Sequence, residues 1–310
     1  MKYILFLFVA AFLQAVEIVV DPYLQDGSPS SMTVMWETDS GSESIVEYGE
    51  TAALGNSVSG TSEIGFGFSQ IHTVTLTDLS ANTRYHYKVV TGEVESAIYY
   101  FITPPQIAQD FSFVAMSDIQ KDYGNFDKFE EVVHDGIITY LNNNYSGDLP
   151  VDLGFIMIPG DLVENGLHYS QWEEHFFDPA TPLYSHVPIY PVPGNHENNS
   201  NYFFKYFQLP QNGTIGYDEH WWYKDYSNVR IIGLDSNGGY QITAQLNWLE
   251  AVLNDACFDN SIDFVFAELH HPHKSELWLS GETAFTGDVI SRLESFTDNC
   301  GKPTIHFFGH

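Results

Sequence analysis

Five apolar runs in this sequence end in residues able to hold a cation. Phe113-Val114-Ala115-Met116-Ser117 leads into Asp118, and Phe155-Ile156-Met157-Ile158-Pro159-Gly160 leads into Asp161. Ile189-Tyr190-Pro191-Val192-Pro193-Gly194 leads into Asn195-His196-Glu197. Phe264 to Leu269 leads into His270, and Ile305 to Gly309 into His310. Alone, a strand-end Asp is commonly a cap, an Asn a turn residue, and a His near Pro272 a surface residue. Five in one chain, each closing an apolar run, are hard to obtain from caps. In open α/β sheets that edge is where ligands bind. The donors are carboxylate, amide oxygen and imidazole, without a thiolate. That set suits Mg, Mn, Fe or Zn in a reactive centre rather than a structural zinc site. Glycine precedes Asp161, Asn195 and His310, where the backbone must turn sharply into the site.

The elements that must position these residues fall into two patterns. From Glu17 to Thr103 short alternating runs are broken by turn residues, the signature of an all-β sandwich. Ser31 to Trp36, Ile71 to Leu76 and Tyr85 to Val89 alternate polar and apolar. Thr103-Pro104-Pro105-Gln106 then interrupts the pattern, and 104–110 reads as a short stiff linker. From Phe111 onward strands alternate with helical stretches, which predicts an α/β layered domain over 111–310. Helices are expected over 125–142, with Phe126, Phe129, Val133, Ile137 and Tyr140 on one face, and over 244–253, capped by Thr243. Trp172, Trp221, Trp222 and Tyr223 are expected in the core more than in a pocket. His271 and His273 are expected behind the ligands or at the surface. Glu197 is open between orienting His196 and capping a turn.

The five blocks resemble those of the calcineurin-like metallophosphoesterases. That superfamily carries an Asp, a Gly-Asp, a Gly-Asn-His, a His and a Gly-His-x-His in this order, here Asp118, Gly160-Asp161, Gly194-Asn195-His196-Glu197, His270 and Gly309-His310. The region in front, entered through Asp21-Pro22-Tyr23-Leu24-Gln25, resembles the N-terminal domain of purple acid phosphatases. Its Leu79 to Tyr87 corner resembles fibronectin type III domains. The resemblance implies two divalent or trivalent metal ions (Fe, Zn, Mn or Mg), with Asp161 bridging them. Asn195, His270 and His310 would complete one shell, and Asp118 would belong to the other. His196 would face the phosphate and protonate the leaving group.

Three departures qualify that transfer. Gln120 stands where many relatives have the His of Asp-x-His, and Glu164 stands where purple acid phosphatases have a Tyr. Glu164 and Gln120 are therefore the candidates to complete the Asp118 shell, and no iron–tyrosinate colour is expected. The second His of the last block would follow His310, so the domain reads as truncated at its C-terminal end. The Asp118 metal is expected to be the more weakly held. The implied activity is a secreted phosphoric ester hydrolase acting on a phosphorylated small molecule, with a phosphomonoesterase favoured. The alternatives are a phosphodiesterase or nucleotidase, or a catalytically weakened surface-binding or adhesion protein.

Composition bounds the rest. Across 310 residues, 44% are hydrophobic and 15% aromatic, which argues against disorder. Eleven Lys and Arg against 41 Asp and Glu give a net charge of −30. Such a surface repels nucleic-acid backbones and anionic membranes. Lys2, the apolar run Ile4 to Leu13 and Ala15 read as a secretory signal peptide over 1–15, implying a secreted, periplasmic or extracellular protein. No later run is long enough to span a bilayer. Cys257 and Cys300, in an exported chain, are expected to pair.

Overall fold

The computed structural model describes residues 15–121 and 124–310, so the expected leader lies outside the described residues apart from Ala15. The first unit is a β-sandwich of β1 (Ile18–Ser28), β2 (Ser31–Thr38), β3 (Ile45–Gly49), β4 (Asn56–Ser59), β5 (Thr61–Ile64), β6 (Gln70–Leu76), β7 (Arg84–Thr91), β8 (Val94–Glu95) and β9 (Tyr99–Ile102). One sheet runs β1-β2-β6-β5, the other β4-β3-β7-β8 with β9 also on β7. Met32, Val34 and Trp36 of β2 meet Val74, Leu76, Tyr87 and Val89 between the sheets. At the corner Leu79 is buried, and the Tyr85 hydroxyl accepts the Ser80 N–H at 3.0 Å.

Alternation leaves the other face of β2 for solvent, yet Thr33, Met35 and Glu37 are buried as well. The second unit covers them: Met35 shares an apolar cluster with Phe177 and Tyr206. Tyr23 donates to the Tyr206 carbonyl at 2.8 Å, Tyr87 donates to the Ser185 carbonyl at 2.8 Å, and Lys224 pairs with Asp26 at 2.6 Å. Pro104 and Pro105 are buried rather than solvated, with the Pro104 carbonyl accepting the Asn82 N–H at 3.3 Å.

The second unit holds two sheets. β10 (Val114–Ala115), β11 (Ile156–Pro159) and β12 (Ile189–Val192) are parallel. β13 (Trp222–Tyr226), β14 (Val229–Gly233), β15 (Phe264–Glu268) and β16 (Thr304–Phe307) form the second sheet, antiparallel only between β13 and β14. Phe155, Ile231 and Phe266 lie in the shared core, while Leu249, Leu253, Val289 and Leu293 from two helices cover the outer face of the second sheet. Registers Ala115↔Met157, Pro159↔Val192 and Glu268↔Phe307 bring the strand carboxyl ends level at one edge. Trp172, Trp221 and Trp222 are core residues; Tyr223 is half-buried under Arg230.

Two helix expectations need correction. The first helix runs over 128–144 and contains a π segment, Val132–Ile138. Its wider turn shifts the buried face by one residue, so Leu141 is buried while Tyr140, like Phe126 before the helix, is exposed. The second helix is Thr243–Phe258: Thr243 is its first residue rather than its cap. It continues past Leu253 because Ala256 packs inward and Cys257 bonds Cys300, the last residue of the helix Ala284–Cys300.

That disulfide closes a separation of 43 residues. Replacing both cysteines with Ala should lower unfolding stability by about 4 kcal/mol on the chain-entropy account. Urea unfolding of the two forms measures this, and an unchanged midpoint would show that the bond leaves the unfolded chain unconstrained.

His72 supplies a second prediction. It is fully buried, with Nε2 at 2.7 Å from Thr38 Oγ1, Nδ1 at 2.8 Å from Ser44 Oγ, and its ring stacked on Trp36. Burial pushes its pKa down from 6.5 to about 4. The folded state thus binds the proton less readily than the unfolded chain. Its contribution is complete above pH 6.5 and is lost as pH falls toward 4, by up to about 1.4 kcal/mol per pH unit. The difference between wild-type and His72→Gln stability, followed from pH 7 to 4, should show this slope. Parallel curves would refute it.

Candidate metal centre

The Gly-Asp and Gly-Asn turns exist because two loops must touch. Gly160 has φ of 86°, and a Cβ there would meet His270 Nδ1 at 2.6 Å and Gly194 Cα at 2.8 Å. A Cβ on Gly194 would collide with the Asp161 carboxylate. Asp118 and Asp161 both adopt the left-handed conformation, with φ of 53° and 55°. Asp tolerates that region better than most side chains.

Four electron-pair donors meet at His270 Nε2. Asp161 Oδ2 lies 3.1 Å away, Asn195 Oδ1 3.0 Å and His310 Nδ1 3.1 Å. His270 Nδ1 donates to the Pro159 carbonyl at 2.9 Å, so Nε2 is the lone-pair nitrogen whenever the ring is neutral. Burial lowers the His270 pKa, but the Asp161 carboxylate outweighs it, so a proton on Nε2 takes a cation's place there. Metal–ligand bonds of about 2.1 Å place neighbouring donors about 3.0–3.4 Å apart. Asp161, His270 and His310 offer ligand atoms that all lie within 4.8 Å of one another. Lone pairs packed this closely in a buried site repel unless a proton or a cation stands between them, and the spacing of the donors fits a metal ion. Burial raises the Asp161 pKa, but His270 and the His196 N–H outweigh it and hold the carboxyl below its usual range.

Asp118 sits beside this group rather than in it. Its carboxylate accepts the His310 N–H at 2.9 Å and the Ser117 hydroxyl at 2.7 Å. Glu164 is likewise outside the compact group, and its backbone carbonyl accepts from His196 Nδ1 at 2.6 Å. His196 thereby presents Nε2, which lies 3.9 Å from Asp161 Oδ2, in a half-buried ring. Gln120 Oε1 is shielded from solvent and has no hydrogen-bond partner among the described residues, the condition of an oxygen able to take a cation or donor.

Glu197 does not orient His196. Its buried carboxylate accepts the N–H groups of Asp161 at 3.0 Å, Leu162 at 2.8 Å, Val163 at 3.3 Å and Gly194 at 2.6 Å. One side chain therefore fixes the Asp161 and Asn195 turns against each other. Burial, with the Asp161 carboxylate beside it, pushes its pKa up to about 7 against the pull of those N–H donors. His271 stands behind His310, ring centroids 4.6 Å apart, with Nδ1 at 2.9 Å from Ser236 Oγ. His273 lies 3.3 Å from the Thr283 carbonyl.

Sequence reasoning missed a sixth strand end. Asp235 follows β14 at the same edge and accepts from His220 Nδ1 at 2.7 Å. Asn237, bonded to Asp235, donates to the carbonyls of Pro193 at 3.1 Å and Gly194 at 3.3 Å. The signal was the same acid after an apolar run, hidden because Asp235-Ser236-Asn237-Gly238-Gly239 also reads as a turn.

Residues 20–103 match the family model of the purple acid phosphatase N-terminal domain. Purple acid phosphatase PPD1 from yellow lupin superposes with a TM-score of 0.72 at 20% identity, over 93% of this chain and 57% of its own. PhoD superposes at 0.64 and 11% identity, over 94% and 71%. Two uncharacterized Mycobacterium tuberculosis proteins are 27% identical over 163 residues, which is 42% of this chain. The matched stretch is 31% of their length, so the chain spans about a third of these curated relatives. The family model of the calcineurin-like phosphoesterases matches residues 111–310, and the chain belongs to that family.

Proposed function

We propose that the protein is an exported, metal-dependent phosphoester hydrolase acting on a phosphorylated small molecule, with a phosphomonoester favoured. The observation that carries this reading is the meeting of Asp161, Asn195, His270 and His310 lone pairs around one point beside a free imidazole nitrogen. The sandwich in front favours the phosphatase branch over the diesterases. Export is supported by the apolar run Ile4 to Leu13 and by the Cys257–Cys300 bond.

Asp161, Asn195, His270 and His310 would hold one ion. Asp118 and Asp161 would hold a second, with Gln120 and Glu164 available to complete its shell. Such a pair, when bound, polarises phosphoryl oxygens and lowers the pKa of a bound water. The chain's own part is to fix the ligands, through Glu197 and the Pro159 carbonyl, and to deliver a proton. His196 Nδ1 is committed to the Glu164 carbonyl, so in the imidazolium form Nε2–H would hand its proton to the leaving oxygen and return to the neutral ring.

Two variants separate binding from chemistry. His196→Ala should cut turnover of glycerol phosphate, whose alkoxide needs a proton to leave, by about 10²–10⁴-fold while bound metal per chain stays constant. Asp161→Asn should lose metal and turnover together. If His196→Ala lost its metals equally, the division of roles would be wrong. If the metal-loaded wild type turned over neither mono- nor diesters, the binding-protein reading would replace this one.

Glu197→Gln should fold but lower metal affinity about 10–100-fold, because an amide offers one acceptor oxygen to N–H groups now shared by two. Metal titration followed by calorimetry measures this. Wild-type affinity in the variant would show that the two turns hold without the carboxylate.

A further inference from the structure

We infer that the β-sandwich is a positioning element for His196, acting through the buried carboxylate of Glu37. The inference rests on the reading of His196 as the proton donor.

Glu37 lies on the outer face of β2 and is fully buried. Its Oε1 accepts the Tyr169 hydroxyl at 2.9 Å, and its Oε2 accepts the Tyr206 hydroxyl at 2.7 Å. Both tyrosines belong to the second unit. Burying a carboxylate is costly, and phenols offset less of that cost than an Arg in contact would. Apolar residues would join two domains with less penalty. The arrangement does something that apolar packing does not: it fixes two separate backbone segments to one point.

Those segments flank His196. The first is the 164–169 loop. Its Glu164 carbonyl takes the His196 Nδ1 proton, and its Gly166 N–H donates to the His196 carbonyl at 2.8 Å. Asn165 Oδ1 accepts from Asn198 Nδ2 at 3.1 Å, and Asn198 Nδ2 also donates to the His196 carbonyl at 2.9 Å. Upstream, Glu197 pins Leu162 and Val163. Downstream, Trp172 Nε1 donates to the Gly166 carbonyl at 3.0 Å, and Tyr169 reaches Glu37. The second segment is the helix Asn201–Tyr206, which follows His196 in the chain and ends at the other tyrosine. The Tyr206 carbonyl is itself held by Tyr23 and by Gln25 Nε2 at 3.1 Å, both from β1.

The sandwich also seals the contact. Gly65 follows β5, and a Cβ there would lie 2.5 Å from Glu37 Oε1. Glycine lets the β5–β6 turn close over the carboxylate, and Phe66 then stacks on Tyr169 with centroids 4.9 Å apart. Water is kept from a site where it would compete for both tyrosine hydroxyls. One carboxylate thus sets where the His196 loop ends and where the following helix ends. Loosening it lets the imidazole move away from the leaving oxygen without touching a metal ligand.

The test uses leaving groups. Loss of a positioned acid harms esters with poor leaving groups far more than p-nitrophenyl phosphate, whose phenolate leaves without a proton. In the metal-loaded full chain, Glu37→Gln and Tyr169→Phe should each lower kcat for glycerol phosphate about 10-fold. They should change kcat for p-nitrophenyl phosphate less than about 2-fold, with KM and metal content at wild-type values. His196→Ala should show the same selectivity, larger. Tyr169→Phe keeps the Glu37–Tyr206 bond and carries the test if Glu37→Gln does not fold. An equal loss on both esters, or no loss, while His196→Ala stays selective would overturn the positioning role alone. An unselective His196→Ala would overturn the acid assignment and this inference with it.

Discussion

The structure is organised around a repulsion. Asp161, Asn195, His270 and His310 each turn an electron pair toward the same small volume, with His270 Nε2 about 3 Å from the other three. With His270 Nδ1 bonded to the Pro159 carbonyl, the Nε2 of the neutral ring turns its pair toward the other three. The fold must therefore hold acceptors together against their mutual field, and it does so with backbone. Glu197 collects four N–H groups from two turns, Gly160 and Gly194 remove the Cβ atoms that would separate those turns, and level strand ends bring all the blocks to one edge. Preorganisation of this kind is paid for in folding and recovered when a cation binds.

The same economy explains the two-unit architecture. β2 is buried on both faces, so the sandwich has no solvent side along that strand. Its inner face packs its own core, and its outer face carries Met35 into the apolar cluster of the second unit and Glu37 to the two tyrosines. A domain tethered by a flexible linker would leave Tyr169 and Tyr206 without acceptors. Burial of Pro104 and Pro105 shows how the connection itself became part of the packing.

The strand-end residues were legible in the sequence because their chemistry and their place coincide: an apolar run, a glycine in three of the five, then an oxygen or imidazole donor. The cysteine pair was legible from the number of cysteines and the expectation of export. Other features were not, for physical reasons. Glu37 looks like a solvent residue in an alternating strand, because the surface that covers it comes from Tyr169 and Tyr206, far along the chain. The helix Ala284–Cys300 was readable from Thr283 at its start, Gly301 at its end, and Phe285, Val289, Leu293 and Phe296 between, but its mixed polarity hid it. The π segment in the helix over 128–144 leaves no sequence mark, since it changes the hydrogen-bond step and not the residue types. Gln120 departs from the family pattern, and its orphaned oxygen appears only once the side chain is placed.

Charge completes the account of the site. From Pro104 onward 29 acidic residues face 8 basic ones. Arg84, Lys88, Lys128, Lys224, Arg230 and Lys274 are each paired with a carboxylate. Burial holds His271 near pKa 4 and lowers His310 as well. The protein therefore offers a phosphate dianion little attraction of its own, and its long-range field repels one. On the proposed reading, phosphate affinity must come from bound cations and from His196. Metal and phosphate then stabilise each other by the same coupling free energy, because reciprocity requires it. A site with its own arginines would bind phosphate without metal and gain nothing chemically. On the proposed reading, the arrangement around His270 would make the metal the condition for substrate binding as well as for reaction.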